Sequence, residues 1–341
     1  MKRKIGVILM VMILAGITIS SQAQLATKLG EGKVFGRAYS MFYFAMDDAI
    51  KPKVGFQMFA GILGYEYTLN PKVSVGFMYD VTRTTNFKYT DTSGISSYFE
   101  GSKYTAYLKM CQIKWNFAPK FSLMFGQMLS TQFLLTQDKW WGMRFIDVTA
   151  QEKFGFGMPA DFGASLIYQP DNQFKFTASI LNGEGPFRYQ DDNSNFLYLV
   201  KAEYKPKEGY QLAAYFDYET VTPAAGKADK MNMALFAGYK INPWMVGAEV
   251  LYMKNAAFND NLNRKLLSVY SSYKINSAFN LLARLDYGNL VSADPENRYY
   301  LIGGLQYTLD SNYFMSINYR QANYLLNKDI PYIYFNVGLH F

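Results

Sequence analysis

The chain of 341 residues has one cysteine, one histidine and few charges. A single cysteine excludes a disulfide framework and a thiolate metal cluster. A single histidine, His340, stands next to the C-terminus and argues against His-dependent triads and multi-His zinc sites. Charged residues make up 18%, against about 25% in an ordinary soluble domain. No cluster of lysines and arginines forms a stripe for nucleic acid, and removing Lys2, Arg3 and Lys4 alone brings the net charge from +7 to +4. Beyond residue 20 no apolar run approaches the 18 residues that a membrane helix requires. The segment Gly183-Glu184-Gly185 has no following helix to cradle phosphate and reads as a turn. No cofactor, metal or enzymatic activity is expected from such a composition.

What is abundant is aromatic: 29 Tyr and 27 Phe bring the aromatic share to 18%. Residues 1–23 read as a secretory signal peptide. Lys2-Arg3-Lys4 supply the positive start, Ile5 to Ile19 the short apolar stretch, and Ser21-Gln22-Ala23 the small residues before cleavage. The alternative is a retained membrane anchor, but no basic stop-transfer flank follows. No cysteine follows for a lipid anchor either. Residues 24–341 are then expected to form one domain.

Along that domain apolar and polar residues alternate with period 2. In the last segment Ile333, Phe335, Val337, Leu339 and Phe341 lie on one face, with Tyr334, Asn336, Gly338 and His340 on the other. Leu281, Ala283, Leu285 and Tyr287 likewise oppose Asn280, Arg284 and Asp286. Segments of this kind have the length of a tilted strand that crosses hydrocarbon. Short turns rich in Asn, Asp, Pro and Gly lie at 68–72, 118–120, 169–173, 205–209, 241–243, 275–277 and 309–312. They alternate with longer loops near 47–52, 84–102, 136–159, 183–195, 221–230, 256–264, 290–297 and 324–330. Seven turns and eight loops connect sixteen strands. The expected fold is all-β, a transmembrane antiparallel up-and-down β-barrel with both ends at the short-turn rim. Aromatics flank nearly every short turn, as at Tyr168 and Phe174, Tyr204 and Tyr210, and Tyr239 and Trp244. Such pairs suit the headgroup boundary of a bilayer. The competing reading is a soluble β-sandwich or propeller.

The same alternation turns inward Arg37, Lys109, Lys114, Lys175, Lys201, Lys240, Lys274, Arg284 and Arg320, with Glu66, Asp80, Asp161, Glu203, Asp217, Glu219, Glu249 and Asp286. Charges at that density belong beside water, and sixteen strands leave room for an aqueous channel. Parity slips near Met110-Cys111, which reads as a β-bulge. The longest loop, 136–159, lies between the fifth and sixth strands and carries Trp140, Trp141, Arg144, Asp147, Glu152 and Lys153. It is expected either to fold into the lumen or to stay at the surface. In the first case Asp138, Asp147 or Glu152 would face Arg37, Arg284 and Arg320 across a constriction. Asp286, on the strand of Arg284, would weaken that field. Asp and Asn clusters at 190–193 and 259–263 read as solvated loops or as calcium or lipopolysaccharide-bridging sites.

The run Trp140-Trp141-Gly142-Met143-Arg144-Phe145-Ile146-Asp147, followed by Asp161-Phe162-Gly163 and Leu181-Asn182-Gly183-Glu184-Gly185, resembles the phosphate-selective porin O and P family. The likeness covers the central third of the chain best. Phe341 resembles the C-terminal signal that barrel assembly machinery reads. The resemblance implies a trimeric channel in the outer membrane of a Gram-negative cell, passing anions along a ladder of inward arginines. This chain departs from that pattern, because its inward cations are nearly balanced by acids. The functional expectation is therefore passive diffusion of small hydrophilic solutes or ions, with a weak anion preference. Arg37, Lys109, Lys201, Arg284, Arg320, Glu249 and Asp217 would line the pore. Outer-membrane lipid, lipopolysaccharide and the assembly machinery would be its partners, with no nucleic acid. The alternative is a non-conducting structural or secretion-linked barrel; an outer-membrane enzyme is a poorer fit. Mass spectrometry of the exported protein should find Gln24 as its first residue, and retention of residues 1–23 would favour the anchor.

Overall fold

The computed structural model describes residues 30–83, 87–90, 96–99, 104–188, 190, 194–291, 296–323 and 328–341. The leader and the acidic cluster Asp191-Asp192-Asn193 lie outside the described residues. The strands, in chain order, are β1 (Gly32–Ala45), β2 (Val54–Asn70), β3 (Val73–Arg83), β4 (Phe87–Thr90), β5 (Ser96–Phe99), β6 (Tyr104–Ala118), β7 (Phe121–Leu129), β8 (Ala160–Tyr168) and β9 (Phe174–Leu181). They continue with β10 (Leu197–Tyr204), β11 (Tyr210–Glu219), β12 (Lys230–Ile241), β13 (Trp244–Lys254), β14 (Arg264–Lys274), β15 (Phe279–Gly288), β16 (Arg298–Thr308), β17 (Tyr313–Ala322) and β18 (Ile330–His340). Sixteen of them close an antiparallel barrel in sequence order, with β18 returning to β1. The exceptions are β4 and β5, which form a separate hairpin within the second long loop, where the alternation alone marks only a loop.

Four of the seven short turns are built by Asx side chains, which mimic a backbone turn. Asn70 Oδ1 accepts the N–H groups of Lys72 and Val73, both at 2.9 Å. Asp171 does the same for Gln173 and Phe174, Asn276 for Ala278 and Phe279, and Asp310 for Asn312 and Tyr313. The parity slip in β6 is a bulge: Met78 pairs with Met110 and Tyr79 with Leu108, so Lys109 has no partner on β3. The extra residue leaves both Lys109 and Lys114 on the inward face. A second register shift, between Tyr39 and Ser40 opposite β2, leaves no corresponding trace in the alternation.

The two faces of the wall differ in kind. Outward positions carry residues such as Phe125, Leu166, Ile180, Val200, Leu235, Val250, Leu281 and Ile317, all exposed. Among outward strand residues whose side chains are described, only Lys254 and Lys265 are charged, and both sit at the long-loop rim. An apolar surface of this extent is stable against hydrocarbon and costly in water. At the short-turn rim the outward aromatics meet across neighbouring strands. Phe121 stacks on Tyr168 at 4.6 Å and Phe174 on Tyr204 at 4.5 Å. Tyr210 and Tyr239, Trp244 and Tyr273, and Phe279 and Tyr307 continue the belt at 4.7–5.1 Å.

Phe341 completes the seam. Its N–H donates to Gly36 O at 3.0 Å, and its carbonyl accepts from Gly36 N at 2.8 Å. Its ring lies over Gly36, where an added Cβ would come within 2.2 Å of it. Gly36→Val should therefore expel the ring and cost about 1–3 kcal/mol. Loss of the compact, heat-modifiable gel band should occur at lower temperature than in the unaltered protein. An unchanged transition would show that Phe341 does not brace the seam.

Candidate functional site: a loop inside the barrel

Residues 130–159 leave β7 and fold into the lumen. A π-helical turn over Leu135–Trp141 and an α-turn over Ala150–Lys153 give this segment local order. Its apolar side chains form a core with the inward wall. Trp140 meets Phe236 at 5.3 Å between ring centres, Trp141 meets Tyr270 at 5.6 Å, and Phe145 stacks on Phe314 at 5.7 Å. Two wall glycines admit this approach: a Cβ on Gly238 would lie 2.6 Å from the Trp140 ring, and one on Gly338 would lie 2.7 Å from Phe145. A segment of some thirty residues buries itself only by bringing such a core along, so the lumen is not wet throughout.

Polar side chains of the wall hold the loop by its backbone. Arg320 Nη2 donates to Ile146 O at 2.8 Å, and Asn336 Nδ2 to Phe145 O at 3.1 Å. Arg284 Nη1 donates to Val148 O, and Arg264 Nη2 to Phe154 O at 2.7 Å. Asn232 Nδ2 takes Phe156 O at 2.6 Å, and Lys201 Nζ takes Thr131 O. Buried carbonyls need donors, and wall strands from β10 to β18 supply them. Rings flank the guanidinium groups: Arg264 lies over Phe156, Arg284 over Trp141 and Arg320 over Tyr334, at 4.5, 5.3 and 3.7 Å. The sequence pattern misses Arg264, Asn232 and Asn336 as loop contacts, although each stands at an inward position.

The carboxylates sort among these cations. Asp147 pairs with Lys153 at 2.9 Å and with Arg320 at 3.5 Å, and accepts the Tyr300 hydroxyl at 2.7 Å. Asp138 meets Arg37 at 3.4 Å. Glu152 instead pairs with Arg144 of its own loop, at 3.4 Å. Arg284 pairs with Asp286, the strand neighbour, at 2.7 Å, so its charge is neutralised within β15. On the opposite wall Asp80 receives Lys109 at 2.7 Å and lies 3.9 Å from Arg144. Glu249 accepts from Gln151 of the loop, and Asp217 accepts the Tyr215 hydroxyl at 2.6 Å. Arg284, Arg320, Lys109, Lys201, Asp217 and Glu249 are all buried. Of the seven residues expected to line the pore, Arg37, whose side chain is 23% exposed, is the one that faces open space.

That space lies toward the short turns. There Arg37, Lys114, Lys139, Lys175, Lys240 and Lys274 are half-buried or exposed, with Glu66, Asp138 and Glu203 among them. Lys33 and Lys205 stand at the same mouth, and cations outnumber acids there. Lys139, at the end of the π-helical turn, has its pKa lowered by burial first and by Lys205 and Lys175 next, with Glu203 and Asp138 opposing. The short-turn mouth is thus a basic vestibule beneath the loop.

Burial alone would push the Asp147 carboxyl up, but Lys153, Arg320 and Arg284 outweigh it and hold it well below the usual carboxylate range. Its contribution to holding the loop is therefore full at every pH above about 3.9, the free-chain value. It is lost only as pH falls through the depressed folded value. Hydrogen exchange of amides 143–156 should accordingly be equally protected at pH 7 and near pH 4.5, apart from the intrinsic rate. Arg320→Met removes one of the two cationic partners of buried Asp147 and the donor to Ile146 O, an effect of about 1–3 kcal/mol. It should raise exchange across 143–156 at least several-fold; unchanged protection would mean that apolar packing alone holds the loop.

No family model matches the chain, and no curated protein matches it in sequence. Its fold is similar to solved sixteen-stranded porins. The anion-selective porin from Comamonas acidovorans is 9% identical with a TM-score of 0.66, the match covering 91% of this chain and 99% of that one. OprB from Pseudomonas putida is 9% identical with a TM-score of 0.68, over 91% and 94% of the two chains. OmpT of Vibrio cholerae, in its trimer form, is 13% identical with a TM-score of 0.63, over 92% and 100%. At such identities the likeness is one of fold, and the resemblance to phosphate-selective porins transfers no residue assignment.

Proposed function

We propose that this chain is an outer-membrane porin through which small hydrophilic solutes and ions diffuse passively. The observation that carries the reading is the contrast between the two faces of one closed wall. Its outward side is charge-free across the hydrocarbon span, while its inward side is densely ionic. In this reading residues 1–23 direct export and are removed, the short-turn rim faces the periplasm, and Phe341 is read during barrel assembly. Lipid and lipopolysaccharide surround the wall. Transport is downhill, requires no cofactor and involves no catalysis.

The loop narrows the lumen, and the route runs past it into the basic vestibule. Mobile anions gather there because the local field favours them, which gives a weak anion preference. The similar porin of Comamonas acidovorans is anion-selective, and the similar OmpT of Vibrio cholerae has a trimer form. A homotrimer with weakly anion-preferring pores is the assembly proposed here.

Planar-bilayer recording of the purified protein tests this directly. Stepwise, stable conductance is expected; a silent barrel would favour the structural or secretion-linked alternative. In a salt gradient the reversal potential should show anions favoured over cations by a small factor. Lys114→Glu with Lys175→Glu should lower that ratio several-fold or invert it. An unaltered reversal potential would remove the vestibule as the source of selectivity.

A further inference from the structure

Between the loop and the inward face of β8 to β13 lies a cavity of about 120 Å³, bounded by Met128, Met158, Leu181, Leu199 and Met253 and by the polar groups of Asp217 and Asn232. Both polar residues are buried, at 3% and 1% exposure. Asp217 Oδ2 is occupied, receiving the Tyr215 hydroxyl at 2.6 Å and Asn232 Nδ2 at 3.3 Å. The Asn232 amide has a fixed sense, because its nitrogen donates to Phe156 O as well as to Asp217. That leaves two oxygens, Asp217 Oδ1 and Asn232 Oδ1, with no donor among the described residues. Lys230 also lines the cavity, but no neighbouring cation makes a direct ion pair with Asp217 among the described contacts. Lys230 is taken up by Glu219, and both Asp161 oxygens accept backbone N–H groups, from Phe162 at 2.8 Å and Gly183 at 2.7 Å.

The chemistry missing from this cavity is a hydrogen-bond donor carrying positive charge, attached to something apolar. Among the described residues no three His, Cys, Asp or Glu side chains converge on a metal ion, so an organic cation fits better than a metal. We propose that the cavity is a subsite for a short-chain primary ammonium ion. The ammonium donates to Asp217 Oδ1 and Asn232 Oδ1, and the alkyl chain lies against the methionines and leucines. The proposal rests on the porin reading only for the route by which the solute arrives. It adds to the basic vestibule a second, acidic station on the long-loop side of the lumen.

Binding to the purified full-length protein in detergent tests it without any transport measurement. The probes are n-butylammonium, n-butanol and butyrate at pH 7, followed by saturation-transfer NMR or calorimetry. Binding of n-butylammonium in the millimolar range, on the order expected for so small a ligand, should exceed that of n-butanol and butyrate at least tenfold. Asp217→Asn should weaken it at least tenfold while the heat-modifiable gel band persists. Should that variant fail to assemble, Leu199→Phe reduces the cavity volume without altering charge and should also weaken binding. Equal binding of n-butanol, or n-butylammonium affinity unchanged in whichever variant assembles, would overturn the proposal. Silent bilayers together with intact, Asp217-dependent binding would count against the channel and leave the subsite standing.

Discussion

Hydrocarbon offers nothing to a backbone N–H or C=O, and the structure follows from that constraint. An open sheet would leave two edges unpaired in lipid, so the strands must meet end to end. The meeting of β18 with β1, extended by the reciprocal bonds between Phe341 and Gly36, removes both edges. Once the wall is closed, side chains on its two faces are free to serve two solvents. The outward side is filled with Leu, Val, Ile and Phe, and the inward side becomes available to ionic groups.

The same accounting applies inside. A thirty-residue loop in the lumen brings its own polar backbone into a place partly sealed from water. The inward arginines, asparagines and one lysine answer it carbonyl by carbonyl, from Thr131 through Phe156. These cations are therefore fastenings in the present geometry. Their charges are largely consumed by Asp147, Asp286 and the loop carbonyls, and the uncompensated positive charge collects instead at the short-turn mouth. A lumen assembled this way separates the residues that fasten its loop from those that set the field at its short-turn mouth.

The number of barrel strands, the inward facing of charges such as Lys201, Asp217, Arg284 and Arg320, and the bulge in β6 were legible in the sequence, because period-2 alternation reports directly which solvent a side chain meets; Lys230 and Arg264 were hidden because they stand at strand ends within stretches that read as loops. Aromatics at hairpin ends were legible for the same reason. The loop's position was not. Its burial depends on contacts between Phe145 and Phe314, or between Arg264 and Phe154, that lie more than a hundred residues apart and leave no local periodicity. The pairing of Arg284 with Asp286 was visible as a strand neighbour two positions away, whereas the pairing of Glu152 with Arg144 within the loop was hidden by the unknown course of its chain. The hairpin of β4 and β5 was equally hidden, since four-residue strands barely complete one alternation.

The fastenings reach main-chain oxygens, which every amino acid possesses. At those positions the side chain takes no part in the fastening, in contrast to Trp140, Trp141, Phe145 and Asp147, whose side chains pack or pair against the wall. Residues that the wall grips only by their carbonyls, such as Thr131 and Val148, can be exchanged while the loop stays docked. The barrel thereby offers a fixed mount on which such positions can vary without rebuilding the lumen.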